Sequence, residues 1–349
     1  MKKKMVSAIT LTLLLTSMPF LAFDIRPVKA EPKTWTVDDD GPADFHAIQE
    51  AVDAASPGDT ILVASGTYTE WDDVYIRKTI SLLGESPNST ILERGIAIIN
   101  ANNVRVSGFT LDCLYRPGVA AMHIYCSNNV ILSNNFIKGN GNDAINNDRP
   151  NVFLSSSNNC TLRGNTWMPY ECADGGRAGL HFFDSTGNII VANNFLEGGI
   201  FPWEIWDEGG NTFYHNNFWK PGFPRFSENS IWDDGYPSGG NYWSDYAGND
   251  TYSGPYQNET GCDGIGDTPY TIDENNSDNH PLMIPWGSLL GDVNGDGYVG
   301  IDDIFLVASR FSKELGDPEY SRVYDLNGDG YVGIDDIFTA AQHFGEENP

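Results

Sequence analysis

The sequence is short of positive charge. Twenty Lys and Arg stand against 48 Asp and Glu, a formal net charge of −28 over 349 residues. Such a surface repels phosphate backbones and anionic membranes, which argues against nucleic acid and anionic lipid as partners. It also disfavours acidic polysaccharides unless a cation bridges. Cysteine is scarce: Cys113, Cys126, Cys160, Cys172 and Cys262 are an odd set with no CxxC spacing, so at least one stays unpaired and no thiolate metal site is indicated. Beyond residue 30 no apolar run is long enough to cross a bilayer. Between residues 103 and 219 apolar residues do not recur at three- and four-residue spacing, which excludes a helical repeat there.

Residues 1–30 read as a secretory signal peptide. Lys2, Lys3 and Lys4 form the charged start, residues 6–22 the apolar stretch, and Val28-Lys29-Ala30 the cleavage site. An uncleaved anchor is the competing reading, disfavoured by the Thr, Ser and Pro that interrupt the run. Cleavage removes Lys2, Lys3, Lys4, Arg26 and Lys29 against Asp24, a net of +4, and takes the charge from −28 to −32. The mature protein is then expected to be extracellular, with no membrane span.

What is present is one phrase repeated. Asn103-Val104-Arg105-Val106-Ser107-Gly108-Phe109 returns from Asn129, Asn159, Asn188 and Asn211, at intervals of 26, 30, 29 and 23 residues. Each unit is a brief β-type run, then Gly-Asn or Asn-Asn, then an apolar residue. Asn and Gly tolerate positive φ, so the pair marks a sharp corner. A unit this short cannot bury its own face and must stack on its neighbours. The fold class expected is mainly β, a parallel β-helix with one coil per unit. Asn135, Asn165, Asn194 and Asn217 are expected to form an inward ladder at one corner. The competing reading, separate turns of a β-sandwich, does not explain unequal coils that keep one corner. Upstream, Phe45, Ile48, Val52 and Ala55 fall at helical spacing, and Thr60–Val63 and 79–83 read as strands. A solenoid end exposes strand edges and core, and the helix is well placed to cap it.

The passages Val37-Asp38-Asp39-Asp40-Gly41, Ile48-Gln49-Glu50-Ala51-Val52, Pro57-Gly58-Asp59-Thr60, Gly66-Thr67-Tyr68 and Ile80-Ser81-Leu82-Leu83-Gly84 resemble the opening of pectin-lyase-like right-handed β-helix proteins. More narrowly they resemble the NosD-like family. Gly240-Asn241-Tyr242-Trp243-Ser244-Asp245-Tyr246, Asp263-Gly264-Ile265-Gly266-Asp267-Thr268-Pro269-Tyr270 and Asp278-Asn279-His280-Pro281-Leu282 match the close of that family's domain. The resemblance covers roughly residues 35–286. It implies a right-handed β-helix of carbohydrate-binding or sugar-hydrolase type. Lyases, hydrolases, binding proteins and adhesins all use this fold. Copper, suggested by the family name alone, finds no ligand spacing among six scattered His and six Met.

One set of positions suggests where glycan would bind. Residues 118–123, 176–181 and 199–204 share a spacing that puts His123 and His181 at equivalent places two coils, about 10 Å, apart. His181, Asp184 and Glu204 are the candidate catalytic residues of a polysaccharide hydrolase or lyase; His123, Arg177, Trp203, Trp206 and Asp207 are the candidate substrate contacts. Aromatics beside carboxylates and imidazoles suit sugar stacking and hydroxyl recognition. The alternative is that the histidines are ladder residues, the aromatics pack, and the chain is a non-enzymatic surface or adhesin-like protein.

After Pro285-Trp286-Gly287-Ser288 two near-identical segments follow, 33 residues apart. The first carries Asp292, Asn294, Asp296 and Asp303 at positions 1, 3, 5 and 12 with the Tyr298 carbonyl at 7. The second carries Asp325, Asn327, Asp329 and Asp336, with Tyr331. Oxygen donors at this spacing suit calcium, one ion per loop; acidic surface turns are the alternative. Each loop runs into an apolar-faced helix. The paired loop–helix pattern resembles a type I dockerin, a small all-α calcium-binding module, and implies a cohesin partner on a scaffold or cell surface. Positions 10 and 11, usually Ser-Thr-like in that family, are Ile301-Asp302 and Ile334-Asp335. The expected organisation is signal peptide 1–30, β-helix 31–286 and dockerin-like module 287–349.

Overall fold

The computed structural model describes residues 31–113, 120–138, 151–168, 179–196, 204–219, 225–226, 229–293, 298–314, 317, 319–320, 323–327 and 329–347. All but Glu31 lie in one unit, Pro32–Pro349; the signal-peptide reading falls outside the described residues.

Short parallel strands wind into a right-handed β-helix with three faces. Face 1 runs from Thr34–Val37 and Thr60–Val63 to Thr212–Tyr214, face 2 from Gly66–Tyr68 to Tyr242–Trp243, and face 3 from Val74–Ile76 to Arg225–Phe226. The chain takes one strand from each face in turn. The strands are three to five residues over most of the column, and from Ile96 onward positive-φ residues end most runs on faces 1 and 3. Asn103, Asn129 and Asn159, then Gly187 and Gly210, turn the chain into face 1; Gly108, Asn134, Gly164, Ala192 and His215 turn it into face 2.

Alternation along each strand sends every second side chain inward. Val106, Leu132, Leu162, Ile190 and Phe213 stack on one inner row, and Leu111, Ile137, Trp167, Phe195, Phe218 and Trp243 on another, all buried. Toward the C-terminal end the second row becomes a run of stacked rings. Trp167 to Phe195, Phe195 to Phe218, Phe218 to Trp243 and Trp243 to Tyr270 are 5.3, 4.8, 4.4 and 4.3 Å apart.

The asparagine ladder is present, with a correction. Its buried members are Asn135, Asn165, Asn193, Asn216 and Asn241. Asn194 and Asn217 are strand residues one place further on, only half buried. Because Ala192 and His215 take the left-handed corner, the asparagine after each turns inward; a one-residue slip moves a side chain to the other face. Asn159 is exposed at a corner.

Helix α1 (Ile48–Ala54) is shorter than the expected 45–55 and buries Ile48, Ala51 and Val52 against the first strands. Helices α2 (Ile301–Ser309) and α3 (Ile334–Gln342) pack on each other around Val307, Val332 and Ala340, a core separate from that of the solenoid. Among the described residues no helix is long and apolar enough to cross a membrane.

Candidate functional site

Face 3 carries the residues that the repeat spacing singled out. On Met122–Tyr125, Val152–Ser155, Gly179–Phe183 and Glu204–Asp207, Met122, Ile124, Val152, Leu154, Leu180, Phe182 and Ile205 are buried. The intervening side chains form one outward row: His123 pairs with Phe153, Phe153 with His181, and His181 with Trp206. The two histidines therefore sit two coils apart, with a phenylalanine between them. His123 stacks on Phe153 (5.1 Å, planes 12° apart) and His181 on Trp206 (4.9 Å, 13°).

This differs from a sugar platform in one respect. Rings that stack along the column turn their faces to one another, and His123 Nε2 is buried. Imidazole and indole edges offer N–H donors and an imidazole acceptor, which match hydroxyl groups. Apolar faces come instead from a neighbouring outward row, where Tyr125 and Phe183 are 43% and 57% exposed. Phe153, Tyr125 and Phe183 were missed in the sequence. The signal was there: Val152-Phe153-Leu154-Ser155 occupies the same place in its unit as Met122-His123-Ile124-Tyr125 and Leu180-His181-Phe182-Phe183.

The candidate catalytic set is not gathered by the described residues. His181 stands mid-strand; Asp184 lies three residues on, at a left-handed corner (φ 49°), where it accepts from Ser156 Oγ (3.1 Å) and its N–H donates to Glu208 (2.7 Å). Glu204 opens its strand opposite Gly179, and its side chain, like Arg177 and Trp203, lies outside the described residues. Asp207 is a correction. It follows Trp206 on the strand, so it points inward, is 2% exposed, and accepts from Asn211 Nδ2 (2.6 Å) and Gly209 N (3.0 Å). Burial pushes its carboxyl above the usual range. It cannot touch a ligand on face 3.

In the second loop, Asp336 Oδ1 and Oδ2 accept from Asn327 N (3.0 Å) and Gly333 N (2.6 Å), and Asp325 Oδ2 from Gly330 N (2.8 Å) and the Tyr320 hydroxyl (2.6 Å). Asp329 Oδ1 accepts from Tyr331 N (2.9 Å). Asp325 Oδ1 is buried without a hydrogen-bond partner, and burial, then Asp336 and Asp329, raise its carboxyl. An orphaned carboxylate oxygen among like charges fits a site completed by a hard cation. The first loop repeats the frame, with Asp303 accepting from Val293 N (3.0 Å) and Gly300 N (2.7 Å); Asn294 and Asp296 lie outside the described residues.

The family described as "Periplasmic copper-binding protein (NosD)" matches residues 52–248, more than half of the chain. The chain belongs to the NosD family. The NosD match ends within the closing segment, before α2 and α3. A search of curated proteins returns no matching relative. Among solved structures, a pectin methylesterase from carrot is similar at 15% identity and a TM-score of 0.30, over 52% of this chain and 74% of that one. Pectin methylesterase PemA from Erwinia chrysanthemi is similar at 11% identity and 0.37, over 57% and 82%. The PL6 family alginate lyase AlyGC is similar at 13% identity and 0.34, over 56% and 37%. The copper in the NosD description finds no matching donor set among the described residues. Among the described residues the group of potential ligands that closes to within 4.8 Å is Asp38, Asp39 and Asp40, all oxygen donors, with no histidine or cysteine.

Proposed function

We propose that this NosD-family chain is a secreted, modular glycan-binding protein. The observation that carries the reading is the in-register row His123–Phe153–His181–Trp206, flanked by exposed Tyr125 and Phe183. Ring edges bearing N–H groups beside apolar ring faces suit a hydroxyl-rich ligand with CH faces, and the row follows the column as an extended glycan does. Binding is favoured over turnover because Asp184 stands off the row and Asp207 is buried. A hydrolase needs two carboxyl groups about 5–9.5 Å apart across the scissile bond.

The second half of the proposal concerns attachment. In it, residues 31–286 form the solenoid, α1 caps its first coil, and residues 287–349 form a dockerin-like module. Asp325, Asn327, Asp329, Asp336 and the Tyr331 carbonyl hold one calcium ion. Asp292, Asn294, Asp296, Asp303 and the Tyr298 carbonyl hold the other. Calcium orders α2 and α3, whose outward residues Ile301, Phe305, Ile334 and Phe338 are 70%, 73%, 53% and 61% exposed and suit a cohesin-type partner. With the leader removed the protein works outside the cell, fixed to a scaffold or surface.

A polysaccharide panel, run with and without calcium, tests the reading. Retention without new chain ends is expected. New reducing ends would make the protein a hydrolase, unsaturated ends a lyase, and absence of both retention and turnover would leave the adhesin-like alternative.

A further inference from the structure

The solenoid begins with an overhang. Thr36, Leu62 and Leu83 share one outward row across the first three strands of face 1. The next two positions in that row, Ser107 and Ser133, are polar, as suits a face open to water. Leu62 nevertheless stands 44% exposed. Residues 38–45 leave the first strand as a loop and return to it, with Asp38 N donating to Phe45 O and Phe45 N to Thr36 O (3.1 and 3.1 Å). Asp44 Oδ2 accepts from Thr36 N and Thr36 Oγ1 (3.0 and 3.0 Å), and His46 Nδ1 lies 2.7 Å from Asp38 O. These bonds fix the loop, so the space beneath it is preformed.

That space is a recess of about 370 Å³, within the range that holds small molecules. Leu62 and Leu83 line it together with Pro42 and Ala43 of the loop. Its charged lining residues are Asp38 and Glu85, two anions with no cation beside them in the lining. Each is held through one oxygen. Asp38 Oδ1 accepts from Asp40 N and Gly41 N (3.2 and 2.9 Å), and Glu85 Oε2 from Ser65 N and Ser65 Oγ (2.9 and 2.8 Å). Among the described residues that leaves Asp38 Oδ2 and Glu85 Oε1 for a ligand. The Ser65 hydroxyl and N–H hold the Glu85 carboxyl below its ordinary range, so it stays ionised.

We propose that this recess binds a small organic cation, an ammonium group carried on an apolar body. The carboxylates take the ammonium, whose three N–H donors match acceptors that have no donor of their own. The leucines take the body, and both shed water in doing so. A bare metal ion would gain nothing from that floor, since a hard cation needs oxygen on every side. A neutral ligand would leave both carboxylates unanswered. An anion would be repelled, the more so at a net charge of −28. The recess lies on face 1, so it stands whether or not face 3 binds glycan.

Calorimetric titration of the full chain with phenethylammonium tests it, at about 0.1 M salt to screen diffuse attraction to the acidic surface. Phenethyl alcohol and hydrocinnamate keep the body and make the head neutral or anionic. The ammonium is expected to bind at least about tenfold tighter than the alcohol, the scale of one hydrogen bond to a charged group, and hydrocinnamate not at all. Glu85→Gln should cut that preference about threefold or more. Leu62→Asn should weaken ammonium and alcohol alike, about threefold or more, and leave their ratio unchanged. Both positions face solvent, and unchanged thermal unfolding shows that each variant keeps the fold. Equal affinity for ammonium and alcohol overturns the proposal, as does absence of ammonium binding. So does ammonium binding that either folded variant leaves unchanged, which would place the cation elsewhere on the acidic surface.

Discussion

His215 and Trp286 lie face to face, ring centroids 3.4 Å apart and planes 6° apart. The same joint is pinned by two hydrogen bonds, Trp286 N to Asn217 Oδ1 (2.6 Å) and Asn217 Nδ2 to Trp286 O (3.1 Å). In the proposed organisation residue 286 closes the solenoid, which makes this joint its clasp. A stacked aromatic pair contributes about 0.5–1.5 kcal/mol beyond its buried area. Trp286→Ala is therefore expected to speed proteolytic nicking of residues 284–290 about three- to tenfold, while thermal unfolding of the solenoid barely moves. Acid acts in the same direction. Burial holds the His215 imidazole below its ordinary value, and its Nε2 donates to the Ser238 carbonyl (2.7 Å). That stabilisation is present above the ordinary imidazole range and is lost as pH falls through the lowered value. Nicking in the wild type should therefore quicken on acidification.

The corner slip offers a cleaner comparison. Asn193 is buried within the ladder, with its amide donating to Leu162 O (2.8 Å) and Asn216 Oδ1 (3.0 Å). Asn194, its chain neighbour, is half buried and accepts a single bond from the Trp219 indole (2.8 Å). Truncating a buried amide strands its partners and costs about 1–3 kcal/mol for each group left unpaired. Asn193→Ala should lower the denaturation free energy by about 2–4 kcal/mol and Asn194→Ala by about 1 kcal/mol or less. Urea unfolding of the pair checks this. A larger loss for Asn194→Ala would mean that Asn194, not Asn193, faces the core, and equal losses would remove the distinction between them.

That comparison also marks how far the sequence could be read. The repeat was visible because each coil must return to the same corner, and corners demand Asn or Gly. The register was not fully visible, because two adjacent asparagines fit the phrase equally well and only the left-handed turn at Ala192 or His215 decides which points inward. Alanine and histidine at such corners carry no turn signature. The same ambiguity hid Asp207: beside Trp206 in sequence it reads as a substrate contact, whereas strand alternation puts it in the core. His123 and His181 were legible because their spacing survives loops of unequal length, and Phe153 was missed because a lone phenylalanine resembles core. The carboxylate that accepts from Asn241 N was out of reach, since Asp278 lies 37 residues further on.

Metal removal separates the two cores. The C-terminal one rests on Val307, Val332 and Ala340, with Asp303 and Asp336 buried at the helix starts, where their carboxylates accept from Gly300 N and Gly333 N. So small a core needs a staple, and a cation bound by the folded form stabilises it by RT ln(1 + [L]/Kd), about 2.7 kcal/mol at a hundredfold excess over Kd. Chelation is expected to remove α2 and α3, seen as a loss of helical ellipticity, and leave the β signal of the solenoid intact. Asp336→Ala should weaken calcium binding at least about tenfold in calorimetry, since it removes the ligand at position 12. Asp325→Asn should weaken it less, keeping one oxygen and relieving the repulsion from Asp329 and Asp336. A calorimetric titration showing no heat, with helicity unchanged by chelator, would leave the loops as hydrogen-bonded turns and the module as one that folds without metal.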